Sequence, residues 1–184
     1  SFLTVSRVVP LLEQAQLTPV WRPFLLGPIF QDRGWNTSPF VIDPVKGDYM
    51  WRDLTRRAAQ LGLPFKRPAV FPANGLFAAR IMTAALDQDW CGQFAQSVFV
   101  QQFGHGADIA DELVLRAALV ECGVDPSLWI ARSQSSACKS KLRDLTEQAR
   151  AYGVFGAPSF RVGSELFWGD DRLEDAIAWA AKSA

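Results

Sequence analysis

The spacing of apolar residues predicts helices through most of the chain. At the N-terminus, Val5, Val8, Val9 and Leu12 recur at helical spacing, and Pro10 is expected to kink this first helix. Similar apolar stripes predict further helices over residues 50–61, 76–85, 91–102, 109–120, 142–152 and 173–180.

Glycine and proline mark the boundaries of these helices. Gly123 and Gly153 follow two of the stripes and are expected to end them, because glycine readily adopts the left-handed backbone that closes a helix. A short turn is expected around Pro126. Residues 27–44 are predicted to form a long loop, and a loop of this length in a compact domain is usually functional.

Residues that favour strands occur in two places. Residues 18–26 are predicted to be a strand, and Pro19 and Pro23 favour a place at the edge of a sheet. Residues 158–168 are predicted to be a hairpin around Gly163-Ser164. The order helix, strand, helices, strand, strand, helix indicates an α/β fold that opens on half of a βαβ unit. A further strand, about five to ten residues long, is therefore expected ahead of the first residue.

Length and charge narrow the class of protein. For 184 residues we expect one domain with room for an insertion. The formal net charge is zero and the pI is about 6.5, with no run of Lys or Arg, so nucleic acid and anionic membranes are poor partners. No apolar stretch approaches the roughly 20 residues of a membrane span, and no signal peptide is visible.

The three cysteines argue against disulfide chemistry. Cys91, Cys122 and Cys138 are well separated, with no Cys-x-x-Cys and no Cys/His cluster that would hold a metal. They indicate reduced thiols and a cytoplasmic location. Disulfide exchange needs an attacking and a resolving thiol, so an oxidoreductase of that kind is disfavoured. His105, the single histidine, lies in Phe103-Gly104-His105-Gly106 and is expected in a surface turn.

The segment from Gly153 to Arg172 carries the strongest signal of a binding site. Pro158 enters a strand, and a cis bond before it would turn main-chain N–H and C=O groups out of the sheet toward an extended ligand. Asp170 and Asp171 then open the last helix. The spacing from Asp171 to Glu174 is that of a capping box, which explains one acid but not two.

Six stretches of sequence carry a resemblance to a known family: residues 21–27, 34–40, 46–54, 71–74, 154–158 and 166–173. In these stretches the chain resembles the 2-hydroxychromene-2-carboxylate isomerases and their relatives, the kappa-class glutathione transferases. The resemblance implies an α/β, thioredoxin-like core with an all-helical insertion of the DsbA type, its first strand absent from the chain. The core would comprise residues 1–43 and 153–184, and the insertion residues 44–152.

The resemblance also implies glutathione as a cofactor. The expected cofactor-binding residues are Lys46, Ala157, Pro158, Gly169, Asp170, Asp171 and Arg172, with Ala157 as a main-chain clamp and the acidic segment around the γ-glutamyl group. Arg172 would pair with a ligand carboxylate or with Glu165. An aromatic keto acid substrate would lie against Trp35, Asn36 and Asn74. A homodimer is implied by the resemblance alone.

The catalytic residue of this family is a serine in a Ser-x-x-Ser-aromatic-Leu motif. Ser1-Phe2-Leu3 resembles the end of that motif, which makes Ser1 its second serine and places the catalytic one three residues upstream. Ser1 is kept as an alternative catalytic residue, and it is also a suitable N-cap for the first helix.

The expected reaction is a glutathione-dependent cis–trans isomerisation by transient thiolate addition to a conjugated substrate. A serine hydroxyl would stabilise the thiolate by donating a hydrogen bond to it. Two other functions stay open: a kappa-like glutathione transferase, and a thioredoxin-fold protein that binds glutathione or a peptide without turnover.

Overall fold

The computed structural model describes residues 1–183, with side chains described up to residue 182. The N-terminal segment forms two short helices, α1 (Phe2–Val5) and α2 (Val8–Gln14), and not one helix kinked at Pro10. The interruption lies at Ser6 and Arg7, one turn before the proline. Pro10 has no N–H for the Ser6 carbonyl and its ring excludes that carbonyl, so the helix is broken one turn earlier.

The predicted strand over residues 18–26 is not formed. Residues 17–25 have no regular secondary structure and join no ladder, and the chain enters α3 (Leu26–Gln31) directly. A strand needs a hydrogen-bonded neighbour, and in the described part of the chain the two strands pair with each other. The segment is held by side chains instead. The Leu25 N–H donates to Thr146 Oγ1 at 3.2 Å, and the Trp21 indole covers Gly92.

The predicted loop over residues 27–44 is also wrong in part, because it contains α3 and a second short helix, α4 (Pro39–Ile42). Ser38 caps α4 by accepting a hydrogen bond from the Phe40 N–H, and Pro39 occupies the first helical position. A cap followed by proline is a helix-start signal. The Gly-Pro and Ser-Pro pairs that suggested a loop therefore start short helices.

The middle of the chain is helical, as predicted. Its helices are α5 (Pro44–Gln60), α6 (Leu76–Ala84), α7 (Cys91–Phe99) with a π-helical turn (Val100–Gly104), α8 (Glu112–Glu121), α9 (Pro126–Ser133) and α10 (Ser136–Ala151). The turn expected at Pro126 is in fact α9, which Asp125 caps through the Ser127 N–H. Gly123 and Gly153 end α8 and α10 with φ of 72° and 77°, which confirms their predicted role.

The buried face of α5 differs from the predicted stripe. Trp51, Ala58 and Gly47 are buried, whereas Leu61 lies beyond the helix and is 41% exposed. Gly47 is buried because α4 packs directly on it, and a Cβ there would overlap the Phe40 carbonyl oxygen. The sequence pattern missed this face because glycine carries no hydrophobic signal.

Two hydrophobic clusters hold the helices together. The larger one joins α6, α7, α8 and α9 around Ile81, Phe94, Leu115 and Leu119, which are all nearly inaccessible. The smaller one joins α1 to α5 and the π-helical turn through Phe2, Leu3 and Ala58. The smaller cluster crosses the predicted boundary between core and insertion, and the division of the chain at residues 43 and 152 stays a prediction.

The C-terminal segment forms the predicted hairpin. Strand β1 (Ser159–Val162) pairs antiparallel with β2 (Glu165–Trp168), and the turn lies at 163–164, where Gly163 has a φ of 58°. A 3₁₀ turn (Asp170–Arg172) leads into α11 (Leu173–Ser183), which packs on the hairpin through the buried Leu173 and Ala176. The helix-rich fold with a small sheet thus packs α11 against both the hairpin and α2.

Candidate functional site

The segment before β1 and the segment after β2 meet at one hydrogen bond. The Gly169 N–H donates to the Pro158 carbonyl at 3.0 Å, so Ala157 and Pro158 lie beside Gly169, Asp170 and Asp171. The Ala157–Pro158 peptide bond is cis, which is the conformation expected from the sequence for a ligand-facing backbone. Gly169 has a φ of 107°, a backbone geometry that favours glycine. We call Ala157, Pro158, Gly169, Asp170 and Asp171 the proline cradle.

The main chain of Ala157 has no protein partner within residues 1–183. Neither its N–H nor its C=O makes a hydrogen bond in this part of the chain, and the residue is exposed. The neighbouring residues are fixed, because Ser159 Oγ donates to the Gly156 carbonyl at 2.8 Å. Ala157 therefore presents one donor and one acceptor to the outside from a rigid support, which suits an extended peptide-like ligand.

Asp170 is held within the protein. Its carboxylate accepts hydrogen bonds from Thr4 Oγ1 at 2.9 Å and Arg7 Nε at 3.2 Å, and Arg57 Nη2 lies 3.6 Å away. The side chain of Asp170 is 16% exposed. One carboxylate is thus contacted by a hydroxyl from α1, a guanidinium from the α1–α2 junction and a guanidinium from α5. Through these contacts Asp170 anchors the proline cradle to the helices.

Glu174 also bonds to Arg7 and does not close a capping box. The Arg7 guanidinium donates to both Glu174 oxygens, and this hydrogen bonding holds the pKa of Glu174 below its ordinary value. The predicted box from Asp171 to Glu174 is therefore wrong: the distant arginine takes the Glu174 carboxylate. No local pattern indicates this pairing, because 167 positions separate the two residues.

Asp171 and Arg172 lie at the surface of the cradle. The Asp171 side chain is 71% exposed and its nearest cation is Arg172, at 3.6 Å. Arg172 donates to Asp175 at 3.2 Å, one turn further along, and not to Glu165 as one of the predicted options required. The Asp171 carboxylate is therefore the acidic group of the cradle that remains accessible to a cationic ligand group.

Lys46 lies at the start of α5, away from Asp170. Its N–H donates to the capping Asp43 at 3.1 Å, and its Nζ lies 5.7 Å from the centroid of the Phe40 ring. Lys46 and Arg57 are eleven positions apart on the same helix, about 16 Å at 1.5 Å per residue. Because Arg57 contacts Asp170, Lys46 lies near the end of α5 that is remote from Asp170.

Trp35 is connected to the cradle through aromatic and cationic contacts. Arg33 lies over both the Trp35 ring and the Phe155 ring, and Phe155 packs on Trp168 with centroids 4.9 Å apart. The Trp168 indole in turn covers Gly156, where a Cβ would overlap its nitrogen. Trp35 is therefore linked by this series of contacts to the residues that flank Ala157.

Ser1, Asn36 and Asn74 are the remaining predicted site residues. Ser1 occupies the N-cap position of α1, but its hydroxyl makes no capping hydrogen bond. Asn36 is exposed next to Trp35. Asn74 is also exposed, and its amide oxygen accepts a hydrogen bond from the Leu76 N–H at the start of α6. The oxygen of the Asn74 side-chain amide is thus engaged in a local turn.

The thiols and the histidine are placed as expected from the sequence. Cys91, Cys122 and Cys138 are free, and burial raises the pKa of Cys91 and of Cys122 to about 11, which makes them weak nucleophiles at neutral pH. His105 is exposed after the π-helical turn. Residues 1–183 contain no cluster of metal-ligating side chains, and none of their helices is long and apolar enough to cross a membrane.

Four residues that matter at the site were missed from the sequence. Thr4, Arg7 and Arg57 position Asp170, yet each belongs to a segment that is distant in sequence. An arginine within the apolar N-terminal helix pattern was the one hint, since a charged residue among buried neighbours needs partners. Arg33, between two aromatic rings, was missed because the two rings come together only in the folded chain.

A small sheet packed on helices, a proline cradle at its edge and a helical middle segment define a thioredoxin-like protein. Comparison with known families agrees: the family model described as "DSBA-like thioredoxin domain" matches residues 1–177. The chain belongs to this family, and the fold predicted from the sequence is confirmed.

The relatives within the family are named enzymes. The chain is 33% identical to a 2-hydroxychromene-2-carboxylate isomerase of Sphingobium xenophagum, over 73% of this chain and 67% of the relative. It is 26% identical to human glutathione S-transferase kappa 1, over 83% of this chain and 73% of the relative. The chain spans 65–68% of the length of the three isomerase relatives that it matches.

A solved structure gives the same result. The structure of a 2-hydroxychromene-2-carboxylate isomerase superposes with a TM-score of 0.85 at 26% identity, covering all of this chain and 91% of that one. The resemblance stated from the sequence, to these isomerases and to kappa-class transferases, is therefore confirmed.

Proposed function

We propose that this protein is a glutathione-dependent isomerase of aromatic keto acids of the 2-hydroxychromene-2-carboxylate type. The observation that carries the proposal is the unpartnered main chain of Ala157 in the proline cradle, next to the accessible Asp171 carboxylate. The names of the isomerase relatives support the reaction class, and the names of the kappa relatives support glutathione.

The residues present fit glutathione. Its central residue offers an amide N–H and C=O that pair with those of Ala157, and its γ-glutamyl ammonium suits the Asp171 carboxylate. Gly169, Asp170 and Pro158 would form the floor under these groups, with Arg172 and Lys46 as cations at the rim. When bound, glutathione supplies a thiol whose anion adds reversibly to a conjugated carbon of the substrate.

The protein's own groups would orient the reactants and stabilise the sulfur anion. The Ala157 main chain would fix the cofactor, and the rings of Trp35, Phe155 and Trp168 would form flat walls for an aromatic acid. A serine hydroxyl near the start of α1 would donate to the sulfur. Ser1 has a hydroxyl that the helix does not use.

Calorimetric titration of the full chain with reduced glutathione tests this proposal. Saturable binding is expected, and Asp171→Ala should weaken it about tenfold, because a charge-assisted hydrogen bond contributes about 1.5–3 kcal/mol. Asp175→Ala is the matched control: its carboxylate is 60% exposed and also faces Arg172, but it lies one turn beyond the cradle. Both variants should unfold at nearly the wild-type temperature.

Absence of binding at millimolar glutathione would contradict the proposal. Equal loss in Asp171→Ala and Asp175→Ala would show that general negative charge, and not the cradle, attracts the ligand. Isomerisation of a hydroxychromene carboxylate that proceeds at the same rate without glutathione would remove the cofactor from the mechanism.

A kappa-like glutathione transferase is the second candidate function, favoured by the relatives of that name at 25–26% identity. A halogenated nitroarene and a hydroxychromene carboxylate, assayed side by side, separate the two. Release of a stable conjugate from the first without turnover of the second would indicate a transferase. Binding with neither activity would indicate a glutathione-binding protein. A homodimer and a cytoplasmic location stay predictions.

A further inference from the structure

Arg33 is held in place by the end of α3. The Gly34 N–H donates to the Gln31 carbonyl at 2.9 Å and the Trp35 N–H to the Phe30 carbonyl at 3.0 Å, with Gly34 at a φ of 73°. This pair of bonds is a Schellman motif, and its usual apolar contact is present between Phe30 and Trp35, whose ring centroids are 5.8 Å apart. Arg33 and Trp35 therefore project from a rigid turn.

The Arg33 guanidinium lies between two aromatic rings. Its Cζ is 5.7 Å from the centroid of Trp35 and 5.6 Å from that of Phe155, both within cation–π range. The two rings limit its rotation, and the side chain remains exposed. Phe155 precedes Ala157 by two residues and packs on Trp168, which precedes Gly169, so the guanidinium lies over a ring that contacts both segments flanking the proline cradle.

No carboxylate of the described residues lies within 4 Å of the Arg33 guanidinium, and it makes no side-chain hydrogen bond among them. The adjacent Asp32 is already engaged, because it pairs with Arg150 Nε at 2.7 Å. By contrast, Arg172 pairs with Asp175, and Arg57 with Asp170. Among the described residues, Arg33 is thus a cation beside the cradle that has no carboxylate partner.

We propose that Arg33 binds a carboxylate of the ligand in the cradle. The inference rests on the proposed function and extends it to a residue that the sequence did not single out. A guanidinium offers a planar, two-pronged donor set that matches a carboxylate, and the two rings hold that plane before the ligand arrives. Little side-chain entropy is then lost on binding.

Two carboxylates can occupy this position: the glycyl carboxylate of glutathione, or that of the aromatic keto acid. Both share the chemistry that Arg33 recognises. The glycyl carboxylate would contribute to the affinity for glutathione, whereas the substrate carboxylate would contribute to the KM for the substrate. One set of variants therefore separates the two.

The experiment compares the wild type with Arg33→Ala, Arg33→Lys and the control Arg132→Ala. Arg132 also lies over an indole, that of Trp129 at 4.6 Å, but in the helical middle of the chain. Calorimetry uses reduced glutathione and its glycinamide form, which lacks the glycyl carboxylate. Steady-state kinetics use a hydroxychromene carboxylate at saturating glutathione. Thermal unfolding confirms that each variant folds, as expected for an exposed Arg33.

If the glycyl carboxylate is the partner, Arg33→Ala weakens glutathione binding about tenfold or more and leaves the glycinamide form unaffected. If the substrate carboxylate is the partner, Arg33→Ala raises KM by a similar factor at nearly constant kcat, with unchanged glutathione binding. In either case Arg33→Lys recovers part of the loss, because lysine keeps the positive charge but lacks the two-pronged donor set of a guanidinium. Arg132→Ala matches the wild type.

Unchanged glutathione affinity together with unchanged KM in Arg33→Ala overturns this inference and leaves the proposed function intact. Equal losses in Arg33→Ala and Arg132→Ala also overturn it, since they indicate a general charge effect. A wild-type chain that binds no glutathione overturns the proposed function itself, and this inference with it.

Discussion

Gly47 shows how a single residue positions one side of the candidate site. It lies next to Lys46, and the Phe40 backbone of α4 packs on it so closely that a Cβ would overlap the carbonyl oxygen. Backbone atoms cannot move aside as a side-chain end can, so α4 would have to shift. Phe40 carries the ring over which Lys46 lies, and such a shift would also displace that contact.

Gly47→Ala is therefore expected to destabilise the protein by about 1–3 kcal/mol, the usual range for overpacking. Gly27→Ala is the control, because Gly27 lies in α3 on a helical backbone and a Cβ added there would meet no atom within 4 Å. That change should leave the stability within about 1 kcal/mol of the wild type, because the gain in helix propensity is opposed by the crowding of a side chain before Pro28. Urea denaturation of both variants measures the two effects, and equal changes would contradict the packing argument.

At the residue scale, part of the site was predictable. Pro158 entering a strand and two acids at a helix start are local signals, and the structure brings them together. The different environments of the two acids were not predictable: Asp170 is largely buried against Arg7, whereas Asp171 is exposed. That difference depends on residues more than 160 positions away, which no local pattern contains.

At the scale of elements, the ends of helices are better specified than the strands. Several helices end on glycine, but α2 is closed by Gln16, which has a φ of 56°. The Gln16 N–H donates to the Glu13 carbonyl at 3.0 Å and the Leu17 N–H to the Leu12 carbonyl at 2.9 Å, so the motif is the same as after α3. A side chain in this backbone region carries a steric cost that glycine avoids.

Gln16→Gly is expected to stabilise the protein by about 0.5–1 kcal/mol, because it removes this cost. Gln14→Gly, two residues earlier inside α2, should instead destabilise it by about 0.5–1 kcal/mol, since glycine is a poor helix former. Both side chains are exposed, so packing does not confound the comparison. Thermal unfolding monitored by circular dichroism checks the opposite signs; a loss of stability in both would refute the assignment of strain to Gln16.

The predicted strand over residues 18–26 failed for a reason at this same scale. Its composition favours an extended backbone, but a strand exists only with a neighbour in the ladder, and the segment has none. The hairpin at 159–168 succeeded because both partners and their turn lie within ten residues. Helix starts at Pro39 and Pro126 were missed because a cap followed by proline also resembles a turn.

At the scale of the molecule, Arg7 joins the two ends of the chain. It lies between α1 and α2 and bonds to Asp170 and Glu174, 163 and 167 positions away. The side chains of Arg7 and Asp170 are only 15% and 16% exposed, so solvent screens this pair less than a surface pair. This contact joins the segments that precede and follow the helical middle of the chain. No local spacing in the sequence indicates it.

Arg7→Met is expected to destabilise the protein by about 1–3 kcal/mol at pH 7, mainly because the half-buried Asp170 loses its best donor. Arg116→Met is the control, since Arg116 pairs with Glu112 on the exposed face of α8 and should cost about 0.5 kcal/mol or less. Guanidinium denaturation at several pH values measures the difference.

The pH dependence of this difference has a defined sign. The hydrogen bond from Arg7 lowers the pKa of Glu174 in the folded state from 4.5, so the contribution of Glu174 is present above pH 4.5 and is lost as the pH falls through the lower folded value. The gap between the wild type and Arg7→Met should therefore narrow below pH 4.5. A gap that widens in acid would contradict the pairing.

The long separation between Arg7 and Asp170 has a consequence for biosynthesis. The ribosome adds about 5–20 residues per second, and Asp170 follows Arg7 by 163 residues. At this rate Arg7 remains without its carboxylate for about 8 to 33 s, while Phe2 and Leu3 of α1 already have α5 to pack on. The cradle is thus assembled only after the helical middle of the chain has been synthesised, and a ribosome stalled before residue 165 would display those helices without a complete cradle.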